Sequence, residues 1–166
     1  MNKEIKRNYL EINSIKNLKD SKTFPEGCLV QLLYPADFQI NKFFYKNIGK
    51  KHHWVDRLIW TEKQWIEYVS SKKVKTFVLK NMKDLAGYFE LILHQNEIEI
   101  AYLGLLEEYL NKKLGSFLLH SALKKSFLKN PKRVWVHTCS LDHKNALKNY
   151  LSRGMKVFKE ETLFLS

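Results

Sequence analysis

Alternation of apolar and polar residues along the chain predicts seven β-strands separated by helices. The strands are predicted at residues 7–12, 28–34, 74–81, 85–95, 98–107, 133–141 and 155–165. Apolar residues at helical spacing predict helices at residues 36–49, 61–71, 112–129 and 143–153. The strand at 133–141 carries apolar residues on both faces, so we expect it near the centre of the sheet.

The order of these elements predicts how the sheet is built. The second half of the chain contains a strand–helix–strand unit, which makes its two strands parallel with a right-handed crossover. Ligands of such sheets bind beyond the C-terminal ends of the strands, against the start of the next helix. We find no internal repeat or linker in the sequence, and residues 1–166 therefore predict a single α/β domain.

The predicted helix at 112–129 begins in an unusual way. Asn111 is a favourable N-cap, yet Lys112 and Lys113 then occupy the first turn, where partial positive charge makes a lysine cost ~0.3–1 kcal/mol. A bound anion would remove this repulsion, and Gly115 would let the chain approach such a ligand closely. Solvated lysines on a surface helix are the alternative. The stretch has neither a P-loop ending nor a three-glycine dinucleotide pattern.

Composition narrows the choice of protein class. Hydrophobic residues make up 45% of the 166 residues, which supports a packed core, and we find no apolar run long enough to span a membrane. The N-terminus lacks the apolar segment of a signal peptide, so we expect a cytoplasmic protein. The net charge of +12 suits a phosphate-rich ligand or nucleic acid, although a general lysine bias is the favoured explanation.

The cysteines and histidines do not have the spacing of metal ligands, so we expect no metal. Cys28 and Cys139 are interpreted as small buried residues. A nucleophilic role for Cys139, close in sequence to His137 and His143, is the less favoured alternative.

Two motifs carry a family resemblance. The first is Leu110-Asn111-Lys112-Lys113-Leu114-Gly115, and the second runs from His143 through Asn145, Ala146 and Tyr150 to Gly154-Met155. They resemble the GNAT acetyltransferase superfamily, in which a Gln/Arg-x-x-Gly-x-Gly/Ala turn opens one helix and an Asn-x-x-Ala-x-x-x-Tyr helix ends in Gly-Phe. This sequence departs from the pattern at Leu110, Lys113 and His143.

The resemblance covers residues 74–165 and implies a fold, an activity and a ligand. The implied fold is a mixed, mostly antiparallel sheet with one splayed parallel strand pair and helices on both faces. The implied activity is transfer of an acetyl group from acetyl-coenzyme A (acetyl-CoA) to an amine of a small molecule or protein. The residues that would contact the coenzyme are Leu103, Gly104, Leu105, Leu110, Asn111, Lys112, Lys113, Leu114, Gly115, Ser116 and His143. Gly104 also suits a bulge that would splay the strand.

The resemblance further implies catalytic and acceptor residues. Tyr150 would protonate the coenzyme sulfur, and Glu99 would accept the proton of the amine. Trp54, Asp56 and Arg57 would receive the acceptor. Each role has a structural alternative. Tyr150 would be a packed core residue, and Glu99 would be a strand residue at the solvent-facing rim of the sheet. Asp56 and Arg57 would pair with each other and fix the loop.

Two other functions remain open at this stage. The departures at Leu110 and Lys113 would suit a protein that keeps the fold but only senses coenzyme A or binds a partner. The basic charge would suit a nucleic-acid-binding protein, although basic residues are not clustered with aromatic ones as such proteins require.

Overall fold

The structure is a computed structural model that describes residues 3–21 and 23–165. Within these residues the strands are β1 (Lys3–Ile12), β2 (Cys28–Leu32), β3 (Val74–Asn81), β4 (Asp84–His94), β5 (Glu97–Leu105), β6 (Arg133–Cys139) and β7 (Lys156–Leu165). The helices are α1 (Phe38–Gly49), α2 (Glu62–Ser70), α3 (Leu114–Phe127) and α4 (Ala146–Ser152).

The strands form one sheet in the order β2-β3-β4-β5-β6-β1-β7. Only the β5–β6 pair is parallel among the strand pairs of the described chain. The predicted mixed, mostly antiparallel α/β fold is therefore confirmed. The N-terminal strand β1 lies inside the sheet, between β6 and the C-terminal strand β7.

Helices cover both faces because successive side chains of a strand point to opposite sides. Leu79 and Phe89 belong to the larger core, which α3 and α4 complete. Their neighbours Val78 and Tyr88 belong to a second core against α1, where Phe44 stacks on the ring of Tyr88 at 4.8 Å. The layer of α1 and α2 and the layer of α3 and α4 therefore enclose the central strands from opposite sides.

The strands β5 and β6 separate soon after they begin. Their parallel pairing ends where Glu99 lies beside Trp135, although β5 continues to Leu105 and β6 to Cys139. The β4–β5 ladder shifts register at this point, since Glu90 pairs with Tyr102 and Leu91 with Ile100. The bulge therefore lies at Ala101.

The bulge predicted at Gly104 was wrong in position. Gly104 pairs regularly with Tyr88, and a Cβ atom there would lie 2.8 Å from Ile48 Cγ2 of α1. The glycine is needed because α1 packs directly on the strand at this point.

The prediction that Asn111 caps α3 was also wrong. The helix begins at Leu114 with Lys113 as N-cap, and both Asn111 and Lys113 have left-handed backbone conformations with φ of 61° and 62°. Asparagine tolerates this conformation better than most residues. Lys112 and Lys113 therefore precede the first helical turn and lie in the connection that leads into it.

Two local predictions are confirmed. Thr61 caps α2, and it forms a capping box with Gln64. Gly154 ends α4 with φ of 105°, and a Cβ atom there would overlap the Asn17 carbonyl oxygen. The capping box depends on two residues close in sequence, and the end of α4 depends on one residue with a positive φ. Signals of this local kind can be recognised in the sequence.

Candidate active site

A cavity of about 870 Å³ opens where β5 and β6 separate. It extends from the start of α3 and α4 to the opposite side of the sheet, where the loop between α1 and α2 and the ends of β1 and β7 form its wall. Most of the predicted site residues line it: Trp54, Asp56, Leu103, Gly104, Leu105, Leu110, Asn111, Lys113, Gly115, Ser116, His143 and Tyr150. Glu99, Arg57, Lys112 and Leu114 lie outside the lining that the described residues form.

The start of α3 forms one end of the cavity. In the described structure no side chain caps this helix, so the N–H groups of its first turn are left without a side-chain acceptor. A Cβ atom on Gly115 would have Asn149 Nδ2 as its nearest neighbour, at 3.7 Å, so the space beside Gly115 is open. This end of the cavity offers backbone donors and room for an anion.

The loop after β1 braces the turn that leads into α3. Ser21 is buried, and its hydroxyl lies 3.0 Å from the hydroxyl of Ser116. The Thr23 hydroxyl donates to the Lys113 carbonyl oxygen at 3.3 Å. Sequence reasoning missed these contacts because serine and threonine in a polar loop give no signal of a partner so distant in sequence.

Two residues predicted to contact the coenzyme, Lys112 and Leu114, do not belong to the cavity lining of the described residues. Leu114 is only 4% exposed and belongs to the larger core. The Lys112 ammonium lies 5.6 Å from the centre of the Tyr109 ring. Of the two lysines, Lys113 is therefore the one whose side chain reaches the cavity lining.

Tyr150 lies on α4 and lines the cavity. The residue is 7% exposed, and it packs within the larger core while lining the cavity. Burial, and secondarily the charge of Asp142, raise the pKa of its phenol well above the ordinary value. The hydroxyl therefore keeps its proton at neutral pH.

Asp142 is fixed by hydrogen bonds at the end of β6. It accepts from the Thr138 hydroxyl and, at 3.0 Å, from the Cys139 backbone N–H. Burial and the charge of Asp142 raise the pKa of the Cys139 thiol. A thiol held in its protonated form is a poor nucleophile, which weighs against the alternative role considered for Cys139.

The imidazole of His143 lies at the start of α4. Its Nδ1 accepts from the Asn145 backbone N–H at 3.1 Å. Burial lowers the pKa of His143, and the neighbouring His52 and Lys144 lower it further. His143 is therefore neutral at pH 7. His52 donates from Nδ1 to the Leu141 carbonyl oxygen at 3.1 Å, which connects the α1–α2 loop to the end of β6.

Glu99 lies just below the separation of the strands. Its carboxylate is 3.0 Å from His94 Nε2, and its side chain is 18% exposed. His137, two residues beyond Trp135 on β6, does line the cavity. His137 keeps contact with solvent, but partial loss of that solvent and the charge of Arg7 lower the pKa of its imidazole, against the opposing effect of Glu99, Asp142 and Glu161. Sequence reasoning did not give His137 a role as a base, and its only signal was a histidine on the strand predicted to be central.

Arg57 does not pair with Asp56. It is buried, and its guanidinium Nη1 lies 2.9 Å from an oxygen of the fully buried Glu90. Tyr68 and Asn41 also donate to Glu90, at 2.6 and 2.8 Å. The pKa of Arg57 is raised: burial lowers it, but Glu90 and the neighbouring Tyr68, Tyr88 and Tyr102 together outweigh that effect.

Aromatic rings surround the Arg57 guanidinium, which lies 4.2–5.6 Å from five ring centres. The acceptor role predicted for Arg57 does not fit this position. The residue instead fixes the loop that carries Trp54 and Asp56 to the cavity.

Among the described residues, histidine, cysteine and acidic side chains do not come together in a group of three or more that would hold a metal ion. In the same part of the chain, each helix is too short or too polar to cross a membrane.

Comparison with known families places the chain in an acyltransferase class. Residues 37–155 match the model of the acetyltransferase (GNAT) family, which is more than half of the chain. The protein belongs to the GNAT family, and the resemblance of its two motifs is confirmed. Its fold is that of a family that uses acetyl-CoA and transfers acyl groups. No curated protein matches the sequence.

Solved structures share this fold at low sequence identity. A GCN5-related N-acetyltransferase from Sphaerobacter thermophilus aligns with 98% of this chain at a TM-score of 0.74 and 14% identity. An aminoglycoside acetyltransferase from an uncultured soil sample, in complex with trehalose, aligns with 76% at a TM-score of 0.64 and 15% identity. A GNAT protein from Streptococcus pneumoniae aligns with 78% at a TM-score of 0.59 and 16% identity.

The lengths of these proteins differ. The chain spans 52% of the Sphaerobacter protein, but 87% of both the soil-sample and the Streptococcus proteins. At these identities the likeness concerns the fold alone.

Proposed function

We propose that this protein transfers the acetyl group of acetyl-CoA to an amine. The observation that carries the proposal is one continuous cavity that reaches the uncapped start of α3, the unpaired end of β5 and Tyr150. These are the three features that binding a thioester and protonating its leaving group require.

The residues at the start of α3 suit the pyrophosphate of the coenzyme. Open space beside Gly115 permits close approach to the N–H groups of the first turn. Lys113 and Lys148 line the same end of the cavity and add positive charge. A phosphate here would be attracted both by the helix dipole and by the lysines.

The separated part of β5 suits the pantetheine arm. Leu103, Gly104 and Leu105 line the cavity beyond the last β5–β6 pair, so their backbone groups on that side have no strand partner in the described sheet. Backbone N–H and C=O groups left without a partner favour a ligand with amide groups of its own. The coenzyme, when bound, supplies the activated acetyl group.

Tyr150 is proposed as the general acid. As the acceptor nitrogen bonds to the acetyl carbon, the carbon–sulfur bond breaks and the departing sulfur needs a proton. The Tyr150 hydroxyl lines the cavity and retains its proton because burial raises its pKa. The neutral phenol of Tyr150 gives that proton to the thiolate, and the resulting phenolate then takes up a proton from the solvent.

The amine must lose a proton to a base. His137 lines the cavity and is neutral at pH 7, because partial loss of solvent and the charge of Arg7 lower its pKa. Its imidazole is therefore free to accept the proton of the amine. Glu99, which His94 binds outside the cavity, would act only through an intervening water. We assign the role of base to His137 and keep Glu99 as the second candidate.

The acceptor end of the cavity carries Trp54 and Asp56. Asp56 is exposed and attracts an ammonium group, and the Trp54 ring offers a face to the same cation. We propose that these two residues guide an amine towards His137.

Calorimetric titration of acetyl-CoA, followed by mass spectrometry of products from a panel of amines, tests the proposal. We expect one coenzyme site per chain and acceptor-dependent release of coenzyme thiol. Binding without any transfer would favour the coenzyme-sensing alternative. Absence of binding would reject the proposal.

A further inference from the structure

The open side of the cavity holds an arginine whose role in the steps above is confined to its effect on the pKa of His137. Arg7 lies on β1, opposite Cys139 of β6 and Glu161 of β7. Alternation along β1 places Arg7 on the sheet face away from α3, because Leu10 and Ile12 pack into the α3 core. Arg7 also lines the cavity.

Arg7 differs from the other arginines of the chain in its contacts. Arg57 pairs with Glu90, Arg133 pairs with Glu11 and Glu97, and Arg153 donates to a backbone carbonyl. The Arg7 side chain makes no ion pair or hydrogen bond with the described residues, and its Nε, like that of Arg153, is buried without an acceptor. A buried donor without a partner is uncommon in proteins and calls for an explanation.

The carboxylate nearest along the sheet is already engaged. Glu161 lies directly across from Arg7 in the β1–β7 ladder, but it accepts a hydrogen bond from the Tyr9 hydroxyl. The Arg7 guanidinium is therefore left facing the cavity, two residues along β1 from Tyr9, whose partner on β6 is His137. Diagonal neighbours of this kind have Cα atoms about 7–8 Å apart.

We propose that Arg7 binds a carboxylate of the acceptor, so that the acceptor is an amine that also carries a carboxylate, as a free amino acid does. This rests on the proposed acetyl transfer. The guanidinium forms a planar fork that matches a carboxylate with two parallel hydrogen bonds. With the carboxylate at Arg7, the amino group of the same molecule lies towards His137.

The surrounding charges favour a carboxylate over a phosphate. The carboxylates of Asp142 and Glu161 both influence the pKa of His137, and Asp142 also influences that of Cys139. Both carboxylates therefore lie near the proposed site and would repel a dianionic ligand. They attract the ammonium group of a zwitterion instead. Ile5 and Leu163 also line this end of the cavity and offer an apolar surface for a side chain.

Paired acceptors test the proposal directly. Each pair consists of an amino acid and the amine left after its decarboxylation, such as phenylalanine with phenethylamine and lysine with cadaverine. We expect kcat/KM to be about 10- to 100-fold higher for the amino acid, the range for a hydrogen bond to a charged group. In Arg7→Gln this ratio should fall towards one, mainly through the amino acid. Arg7→Lys, which keeps the charge but loses the fork, should give an intermediate ratio.

Lys159→Gln is the matched control. It removes a cation from the same sheet face, where Lys159 lies 5.0 Å from the Tyr9 ring and outside the cavity lining of the described residues. The ratio should be unchanged in this variant. A wild-type protein that prefers the decarboxylated amines, or an Arg7→Gln variant that loses both members of each pair equally, would overturn the proposal.

A binding measurement separates this proposal from the proposed function. Thermal shift and NMR titrations with N-acetylated amino acids, in the presence of coenzyme A, need no turnover. We expect binding by the wild type and at least tenfold weaker binding by Arg7→Gln. Carboxylate binding without transfer would support the Arg7 site while rejecting the transferase. Transfer to amines that does not depend on a carboxylate would support the transferase while rejecting the Arg7 site. If the protein neither binds the carboxylate nor transfers the acetyl group, both proposals are rejected.

Discussion

Arg57 and Arg7 lie on the same face of the sheet, but in halves that are built differently. Over β3, β4 and β5 this face is covered by α1 and α2, and Arg57 is enclosed with Glu90 and aromatic rings. Over β6, β1 and β7 the side chains are partly exposed, and Arg7 faces the cavity. One residue type therefore fixes a loop in the covered half and is available to a ligand in the open half.

The difference arises from what surrounds each charge. A buried cation needs a partner with good geometry, and Glu90 accepts from Arg57, Tyr68 and Asn41 at once. A cation beside a cavity keeps contact with water until a ligand displaces it. Substitutions in the covered half should therefore change stability, and substitutions in the open half should change activity.

Replacement of Arg57 by Met should produce the largest loss of stability. It leaves the Glu90 carboxylate buried without its cation, which costs about 3–5 kcal/mol of the free energy of unfolding. Urea denaturation monitored by tryptophan fluorescence measures the change. Arg57→Met/Glu90→Gln should recover part of the loss, because no unpaired charge is left in the core.

Arg133→Met is the matched control for this prediction. Arg133 also pairs with two carboxylates, Glu11 and Glu97, but its side chain is 28% exposed. We expect a loss within ~1 kcal/mol, as for most exposed ion pairs. Equal effects of the two substitutions would contradict the contrast between the covered and the open half.

Tyr150→Phe should lower turnover by about 10²–10⁴-fold, the usual range for loss of a general acid. The ring remains, so acetyl-CoA affinity should be nearly unchanged. Because burial raises the pKa of Tyr150, the wild-type rate should not fall through titration of this group between pH 7 and 9. Steady-state kinetics across this range measures both effects.

Tyr109→Phe controls for loss of a hydroxyl near the cavity. Tyr109 lies beside the turn into α3, outside the cavity lining of the described residues. This variant should retain the wild-type turnover. If Tyr150→Phe retains it as well, Tyr150 is a packing residue only.

The parts of the fold that depend on local chemistry could be predicted from the sequence. Alternation located the strands, Thr61 and Gln64 marked the start of α2, and Gly154 marked the end of α4. The two motifs located the turn before α3 and the helix that carries Tyr150. Each of these signals lies within a few residues of the feature that it predicts.

Contacts between distant segments could not be predicted in the same way. Arg57 was interpreted with its neighbour Asp56, because nothing in the sequence connects it to Glu90 on β4. Arg7 and His137 come together only because β1 inserts between β6 and β7. The position of a strand within a sheet is a property of the whole fold, so the acceptor side of the cavity was the least predictable part.

Two substitutions of Gly115 should separate stability from binding. In Gly115→Ala the nearest atom to the new methyl group is 3.7 Å away, and alanine favours a helix, so stability should rise by up to ~1 kcal/mol. The GNAT pattern admits alanine at this position, so this variant should bind acetyl-CoA nearly as the wild type does. The larger side chain of Gly115→Val fills the space proposed for the pyrophosphate, so acetyl-CoA affinity should fall by about 5- to 100-fold. Calorimetry and thermal unfolding measure the two effects.

Gly154→Ala is the contrasting variant, since its Cβ atom would overlap the Asn17 carbonyl oxygen. It should lower stability instead of raising it. Unchanged affinity in Gly115→Val would mean that the coenzyme phosphates bind elsewhere.

Lys113→Gly should produce the smallest effects. The residue has φ of 62°, a conformation that costs other residues more than glycine, so stability should rise by ~0.5–1 kcal/mol. The same change removes one cation from the cavity, so acetyl-CoA affinity should fall by about two- to fivefold, the range for an exposed ion pair. The loss should shrink as salt is added, because ions screen the attraction. Lys113→Gln separates the two causes: it should weaken binding to the same extent without the gain in stability. If both variants bind acetyl-CoA as the wild type does, the Lys113 ammonium does not contact the phosphates, and the backbone N–H groups of α3 bind them without it.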